Sequence, residues 1–327
     1  SPKAYAHARD CARDYGIGIH THACEQKEEE QAVLQHFGKR SIPMLDQMGI
    51  LGEKTLIAHC VWLNDEEIKR LADTGTAVAH CPSSNAKLAS GIARVPEMLD
   101  AGIRVGLGTD GNVCNNSLDL FEEMKFASLL QKAHRLDAAA LPANVALRMA
   151  TIEGARVLGM DREIGSIEVG KRADLLLLDL AQPNMCPIVW EGTQTNVLWN
   201  LVYSARGSNV KTVLVDGKVI LENGRSTLVD ETALLQGAQA QTLQLMERRK
   251  AEMDKVRQER DNLRNMVQVL NQKPGRQELR QVQVYQKAIE IMFEKSPGFA
   301  PAWQITVKEA EEEVKRAERG IIPFFKR

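Results

Sequence analysis

The sequence predicts an α/β fold built on a parallel sheet, and two observations support this prediction. Between residues 16 and 160, short apolar segments rich in β-formers alternate with helix-like stretches. Each apolar segment also ends in a polar side chain that is capable of chemistry. Apolar strands alternating with helices are typical of a parallel sheet covered on both faces. Polar residues at the carboxyl ends of such strands are typical of a (β/α)₈ barrel, so we predict a barrel of this class over residues 1–160.

Four segments have the format of a barrel strand. In chain order they are YGIGIHTH (15–22), KTLIAHC (54–60), TAVAHCP (76–82) and IRVGLGTDG (103–111). The helical stretch after the second begins at Asn64, a typical N-cap residue with Glu67 three positions on, and ends at Gly75. A complete barrel needs eight strand–helix units and about 250 residues. Because four units are evident, the sequence predicts only the carboxyl-terminal half of a barrel, completed by upstream sequence or by another chain.

Two further regions come after the strand–helix pattern along the chain. Residues 161–245 carry strand and turn signals, and the dipeptide Asp216-Gly217 between TVLV and KVIL predicts a hairpin. Residues 246–327 contain amphipathic helical stretches, with a short heptad-like spacing typical of a weak coiled coil. This tail is either a solvated helical extension or an interface for a homo-oligomer or a helical partner. The predicted domains are therefore 1–160, 161–245 and 246–327.

Composition narrows the range of partners and compartments. The net charge is −1, which does not favour nucleic acid or an anionic membrane as a partner. No apolar run reaches the length of about 18 residues that crosses a bilayer. The six cysteines are scattered without a C-x-x-C pair, which indicates reduced thiols and a cytoplasmic location. These observations favour a small-molecule substrate.

Five motifs in order resemble the amidohydrolase superfamily. They are HTHACEQKEEE, LIAHCVWLNDEEI, VAHCPSSNAKLASGIA, GIRVGLGTDGNVCNNSLDLFEEMKFASLLQK and ALRMATIEGARVLGMDREIGSIEVGKRADLLLLDL. Within that superfamily the chain resembles the branch of 5-methylthioadenosine/S-adenosylhomocysteine deaminases and related aminohydrolases and chlorohydrolases. The resemblance implies a metal-dependent hydrolase barrel of the TIM type. It also implies that the strands of 161–245 form part of a small β-sandwich.

The spacing of the motifs indicates which strand of this barrel carries the two histidines of HTH. The family's metal site draws on a His-x-His at strand 1, a histidine at strand 5 and an aspartate at strand 8. Only 37 residues separate His22 from His59, which leaves room for one helix and one strand. HTHACE therefore resembles the strand-5 motif, and the strand-1 pair is expected outside this chain. His20 is then an additional histidine on the same strand face as His22, because strand side chains alternate.

The resemblance assigns the metal ligands. His22 and Asp110 match the family's ligands, and the metal is one divalent ion, zinc, with iron as the alternative. Imidazole and carboxylate suit either metal. Such an ion lowers the pKa of water to about 7. Asp110 would also take a proton from that water, which makes it a catalytic residue.

The resemblance also assigns residues that contact the substrate. Glu25 would protonate a ring nitrogen and later deliver a proton to departing ammonia, as a non-ligand glutamate does in zinc nucleobase deaminases. His59 would hydrogen-bond the attacking oxygen. Ser84 and Asn85 lie at the next strand end and are predicted to bind substrate, together with Glu25 and His59.

Two classes of function follow from these assignments. The first is an aminohydrolase that deaminates a purine nucleoside or a related amino-heterocycle with water and releases ammonia, with a chlorohydrolase acting on a triazine-like ring as the variant. The second is a truncated, non-catalytic chain whose helical tail mediates assembly. His80 fits either a position in the pocket or a structural role. The two predicted ligands are fewer than the three that a catalytic zinc requires from protein, so we expect this chain alone to show no activity.

Overall fold

The computed structural model describes residues 2–191, 194–271, 275–295 and 308–316. Two compact units are present, Ser1–Val229 and Asp230–Arg327. Within the described residues, no helix is both long enough and apolar enough to cross a membrane.

A four-stranded parallel sheet forms the centre of the first unit. Its strands are β1 (Ile19–Ala23), β2 (Thr55–His59), β3 (Ala77–His80) and β4 (Val105–Leu107), and they lie side by side in chain order. Three of them fall within the predicted segments and β1 extends one residue beyond its segment, to Ala23, which confirms the parallel sheet. The strands are shorter than the predicted segments; His22, His59 and His80 lie within them, whereas Asp110 lies three residues beyond the end of β4.

Helices precede the first strand and follow every strand. They are α1 (Pro2–Tyr15), α2 (Lys27–Phe37), α3 (Ser41–Gln47), α4 (Asp65–Thr74), α5 (Pro82–Lys87), α6 (Val95–Asp100), α7 (Asn112–Asn115), α8 (Leu120–Arg135), α9 (Ala143–Ala150) and α10 (Ile152–Val157). Apolar residues of the strands are buried against apolar residues of these helices in one continuous core, which includes Ile57, Val78, Val105, Leu71, Met98 and Met149. This burial fixes the sheet and therefore the direction in which each strand delivers its last residues.

Helix α4 shows how the sequence sets one of these boundaries. The Asn64 side chain accepts a hydrogen bond from the Glu67 amide, and the Glu67 carboxylate accepts one from the Asn64 amide at 2.9 Å. At the other end Gly75 adopts a left-handed φ of 69°. The predicted cap and stop are confirmed, since both ends satisfy backbone groups that a helix leaves unpaired.

An antiparallel sheet follows in the same unit. It has the order β10-β9-β8-β5, and two short strands, one helix and two 3₁₀ turns accompany it. The bounds are β5 (Leu175–Leu178), β6 (Trp190–Glu191), β7 (Gln194–Thr195), α11 (Val197–Tyr203), β8 (Val210–Val215), β9 (Lys218–Glu222) and β10 (Arg225–Ser226), with the turns at Pro183–Met185 and Gly207–Asn209. Asp216 and Gly217 have φ of 52° and 74° and join β8 to β9. The hairpin prediction is confirmed, because a tight turn with two positive φ angles suits Asp-Gly.

The second unit is helical in its described parts. It contains α12 (Glu231–Asn271), α13 (Arg276–Lys295) and a helix over residues 308–316. The side chain of Asp230 accepts hydrogen bonds from the amides of Thr232 and Ala233, so α12 begins at a capped end. A small apolar cluster lies within the unit, formed by Val284, Ala288, Ile291, Ala310 and Val314.

The predicted division at 160 and 245 remains a prediction, and part of the predicted tail, 272–274, 296–307 and 317–327, lies outside the described residues.

Candidate active site

Polar side chains converge at the carboxyl ends of the parallel strands. His22 lies in β1, His59 ends β2, His80 ends β3, and Asp110 follows β4 by three residues. Because parallel strands end at the same edge of the sheet, residues far apart in sequence become neighbours there.

Three of these residues form a group that could hold a metal ion. One ligand atom each of His22, His59 and Asp110 lies within 4.8 Å of the others. The His59 ring is buried, Asp110 is partly buried, and His22 is exposed. Two imidazoles and one carboxylate form a donor set that suits zinc. The two predicted ligands are therefore brought together, and His59 lies beside them.

The backbone is strained where the chain leaves these strands. Cys24, His59, Cys60 and Asp110 have φ of 57°, 74°, 50° and 59°, the left-handed region that non-glycine residues rarely adopt. Such conformations persist only where the surrounding structure imposes them, and they cluster at functional sites. The turns direct the side chains at the strand ends into the cluster.

Hydrogen bonds fix the Asp110 carboxylate. The Ser84 hydroxyl donates to its Oδ2 at 2.6 Å, and the Gly111 amide donates to its Oδ1 at 2.7 Å. Burial raises the pKa of Asp110, but these hydrogen bonds outweigh that effect and hold the pKa below its usual value. Asp110 is therefore an ionised carboxylate at neutral pH, as a metal ligand requires.

Glu25 lies beside the cluster without belonging to it. Its Oε2 is 3.9 Å from Nε2 of His59, and 22% of its side chain is exposed. The buried Ser90 hydroxyl lies 3.5 Å from Oε1 and accepts a 2.7 Å hydrogen bond from the Gln26 amide group. Ser90 was not singled out from the sequence, because its contact with Glu25 spans 65 positions and no local motif marks it.

Asn85 contacts the His59 ring at Nδ1, the nitrogen opposite the one that faces Glu25. Its Oδ1 lies 2.9 Å from Nδ1 of His59, and each side chain is only 1% exposed. Ser84, the other predicted substrate contact, is also fully buried. Both residues therefore reach the cluster through the side chains of Asp110 and His59.

The remaining histidines differ in their surroundings. His20 stacks on His22 with 6.1 Å between ring centroids, while His22 stacks on His59 at 5.3 Å. Burial, followed by the charges of His22 and His59, lowers the pKa of His20. Burial and the charge of His59 lower the pKa of His80 to about 3, so the His80 ring is neutral at physiological pH.

The cysteine thiols around the cluster are buried and stay protonated. Cys24, Cys60 and Cys81 are buried and free. Burial is the main cause that raises the pKa of each thiol, to about 12 for Cys81. They stay protonated at neutral pH and pack as small apolar side chains.

Comparison with known proteins identifies the family to which the chain is similar. The profile of the amidohydrolase family matches residues 1–220. A 5′-deoxyadenosine deaminase of Methanosarcina mazei is 43% identical over 248 residues, which cover 76% of this chain and 56% of that protein. A 5-methylthioadenosine/S-adenosylhomocysteine deaminase of Moorella thermoacetica is 44% identical over 230 residues, 70% of this chain and 52% of that protein.

A solved structure matches as well. An adenosine deaminase from Xanthomonas campestris with bound zinc superposes with a TM-score of 0.71 at 34% identity, over 76% of this chain and 55% of that one. This match and the parallel sheet support a TIM-type fold, and the bound zinc agrees with the donor set of His22, His59 and Asp110. The chain spans about half the length of the curated relatives it matches. It belongs to the amidohydrolase family.

Proposed function

We propose that the chain supplies half of the active site of a metal-dependent aminohydrolase, which removes the amino group of an adenosine-type nucleoside with water and releases ammonia. The observation that carries this proposal is the convergence of His22, His59 and Asp110 beside the Glu25 carboxyl group. Deaminases of 5′-deoxyadenosine and 5-methylthioadenosine/S-adenosylhomocysteine among the relatives support this substrate class.

The proposed reaction assigns proton transfers to Asp110 and Glu25 and a hydrogen bond to His59. Asp110 accepts a proton from water through its carboxylate, as the attacking oxygen forms a bond to the carbon that carries the amino group. Glu25 donates a proton from Oε to the adjacent ring nitrogen, which makes that carbon electrophilic. His59 hydrogen-bonds the attacking oxygen through Nε2. Glu25, now a carboxylate, takes the proton of the new hydroxyl group and delivers it to the amino group, so that the C–N bond breaks and ammonia leaves as the carbonyl forms. The proton held by Asp110 then restores the Glu25 carboxyl group.

The metal site completes the proposal. His22 and Asp110 would hold a zinc ion, which when bound lowers the pKa of a water molecule to about 7. A catalytic zinc takes three or more protein ligands. We infer that the other strands of the barrel supply the ligands beyond His22 and Asp110, and that this chain contributes the carboxyl-terminal half. The antiparallel strands would belong to a small β-sandwich, and the helical tail to an interface with a partner.

A hybrid protein tests the proposal. Because we infer that this chain supplies the carboxyl-terminal half, the part of the M. mazei relative outside the match is joined ahead of Ser1 of the full chain, and ammonia release from 5′-deoxyadenosine is measured after zinc loading. We expect turnover by the hybrid and none by this chain alone, because the chain alone contributes two predicted ligands and four strands. A triazine substrate assayed in parallel is expected to react more slowly than 5′-deoxyadenosine.

The His22→Ala hybrid serves as the control, since it keeps the fold and loses a ligand. A folded wild-type hybrid with no more activity than this control would overturn the proposed function. Ammonia release by this chain alone, above its own His22→Ala variant, would overturn the claim that the remaining strands are needed.

A further inference from the structure

We propose that Ser84 and Asn85 are positioning residues, which orient Asp110 and His59 for the reaction and do not bind substrate themselves. The inference rests on the proposed function, because it concerns how that site is held. It departs from the substrate contacts that the sequence predicts for these two residues.

The position of helix α5 makes this role feasible. Strand β3 lies between β2 and β4 in the sheet, and α5 begins at Pro82, two residues after β3 ends. Consecutive residues of a helix point about 100° apart. Two neighbouring side chains of α5 can therefore reach in two directions, one toward the end of β2 and the other toward the loop after β4.

Ser84 makes the contact toward β4. Its hydroxyl donates to Oδ2 of Asp110 at 2.6 Å, while the Gly111 amide occupies Oδ1 at 2.7 Å. With one donor on each oxygen, the carboxylate cannot rotate without losing a hydrogen bond. Ser84 itself is fully buried, so its hydroxyl is enclosed by protein.

Asn85 makes the contact toward β2. Its Oδ1 faces Nδ1 of His59 at 2.9 Å. An amide oxygen only accepts hydrogen bonds, so Nδ1 of His59 carries a hydrogen, and in the neutral ring Nε2 then keeps its lone pair. Nε2 is the nitrogen that lies 3.9 Å from Oε2 of Glu25. Asn85 thus selects the tautomer whose bare nitrogen faces the reaction.

The remaining atoms of the segment agree with a role in orientation. Among the described residues, Nδ2 of Asn85 is buried and has no hydrogen-bond partner. A buried unpaired amide group costs free energy, and an apolar residue of similar size would avoid that cost. The hydrogen bond that the Asn85 side chain makes is the one to His59. This bond accounts for the presence of an amide at position 85.

The neighbouring Ser83 provides a matched control. Its buried hydroxyl lies in the same helix beside Ser84 but does not bond Asp110; Ser83 interacts instead with the Glu123 carboxylate, which accepts a hydrogen bond from the Ser83 amide at 3.1 Å. Ser83→Ala and Ser84→Ala remove the same atom from the same helix. They differ in that only Ser84→Ala breaks a contact with Asp110.

The decisive experiment measures the His59 tautomer by NMR in the full, metal-free chain labelled with ¹⁵N-histidine. The chain has seven histidines, and the His59→Asn variant assigns the relevant signal. We expect the hydrogen on Nδ1 in the wild-type chain, its loss from Nδ1 in Asn85→Ala, and its return in Asn85→Asp, whose carboxylate also accepts. Free neutral imidazole prefers the hydrogen on Nε2, so a general packing defect would not restore it to Nδ1. A thermal melt of each variant shows whether it folds.

Zinc affinity provides the second readout. Ser84→Ala is expected to weaken zinc binding by about 10–100-fold, the usual effect of removing a group that orients a ligand, and Ser83→Ala to leave it unchanged. A wild-type His59 with its hydrogen on Nε2, or equal zinc affinities for the two alanine variants, would overturn the inference. If the wild-type chain and hybrid bind no zinc, the proposed function fails, while the tautomer measurement still decides the role of Asn85.

Discussion

Replacing Glu25 with glutamine is expected to lower kcat of the hybrid by about 10²–10⁴-fold, the usual contribution of a positioned acid or base. Glutamine has nearly the same shape but has no carboxyl proton to give to the ring nitrogen. Glu25 lies outside the group formed by His22, His59 and Asp110, so the zinc content of the variant should stay at the wild-type level. Steady-state ammonia release and metal analysis measure the two effects.

Glu28→Gln is the matched control for this prediction. Glu28 is exposed on α2, three residues beyond Glu25, and its replacement makes the same change of charge. Activity in Glu25→Gln close to that of the Glu28→Gln control would contradict the assigned role. So would a loss of zinc, because that would make Glu25 a ligand.

Replacing His59 with asparagine is expected to lower kcat by about 10²–10⁴-fold, the usual contribution of a positioned acid or base, because the bare Nε2 accepts a hydrogen bond from the attacking water. The His59 side chain is buried and its Nε2 faces Glu25, so asparagine removes the contact to the attacking oxygen. Because the proposed ligands are His22 and Asp110, zinc should remain bound. His36→Asn, on the exposed surface of α2, is the control and should leave kcat unchanged.

The His59 variant also separates two roles that geometry allows. His59 lies within the group of three potential ligand residues, so it could bind the metal instead of the attacking oxygen. Loss of zinc together with loss of activity, in a variant that melts like the wild type, would make His59 a ligand and contradict the role proposed for it.

Much of the fold could be predicted from sequence because its signals are local. The strand segments, the capped helix from Asn64 to Gly75 and the Asp216-Gly217 hairpin each depend on residues within a few positions of one another. Hydrophobic patterning, capping and turn chemistry act over that range, and the sequence displays them directly. The five motifs also identified the family correctly.

The contacts inside the site could not be predicted in the same way. Ser84 meets Asp110 across 26 positions, Asn85 meets His59 across 26, and Ser90 approaches Glu25 across 65. These contacts between residues far apart in sequence depend on the strand order and on the backbone turns after each strand, which no short motif encodes. The sequence therefore placed Ser84 and Asn85 near the pocket, but only the structure shows which side chains they touch.

Zinc location in crystals of the zinc-loaded hybrid tests the central claim most directly. Anomalous scattering at the zinc edge is expected to show one ion at about 2.0–2.2 Å from the His22 imidazole and the Asp110 carboxylate, and no ion there in His22→Ala. An ion bound elsewhere, for instance by a cysteine, with the site between His22 and Asp110 empty, would contradict the account.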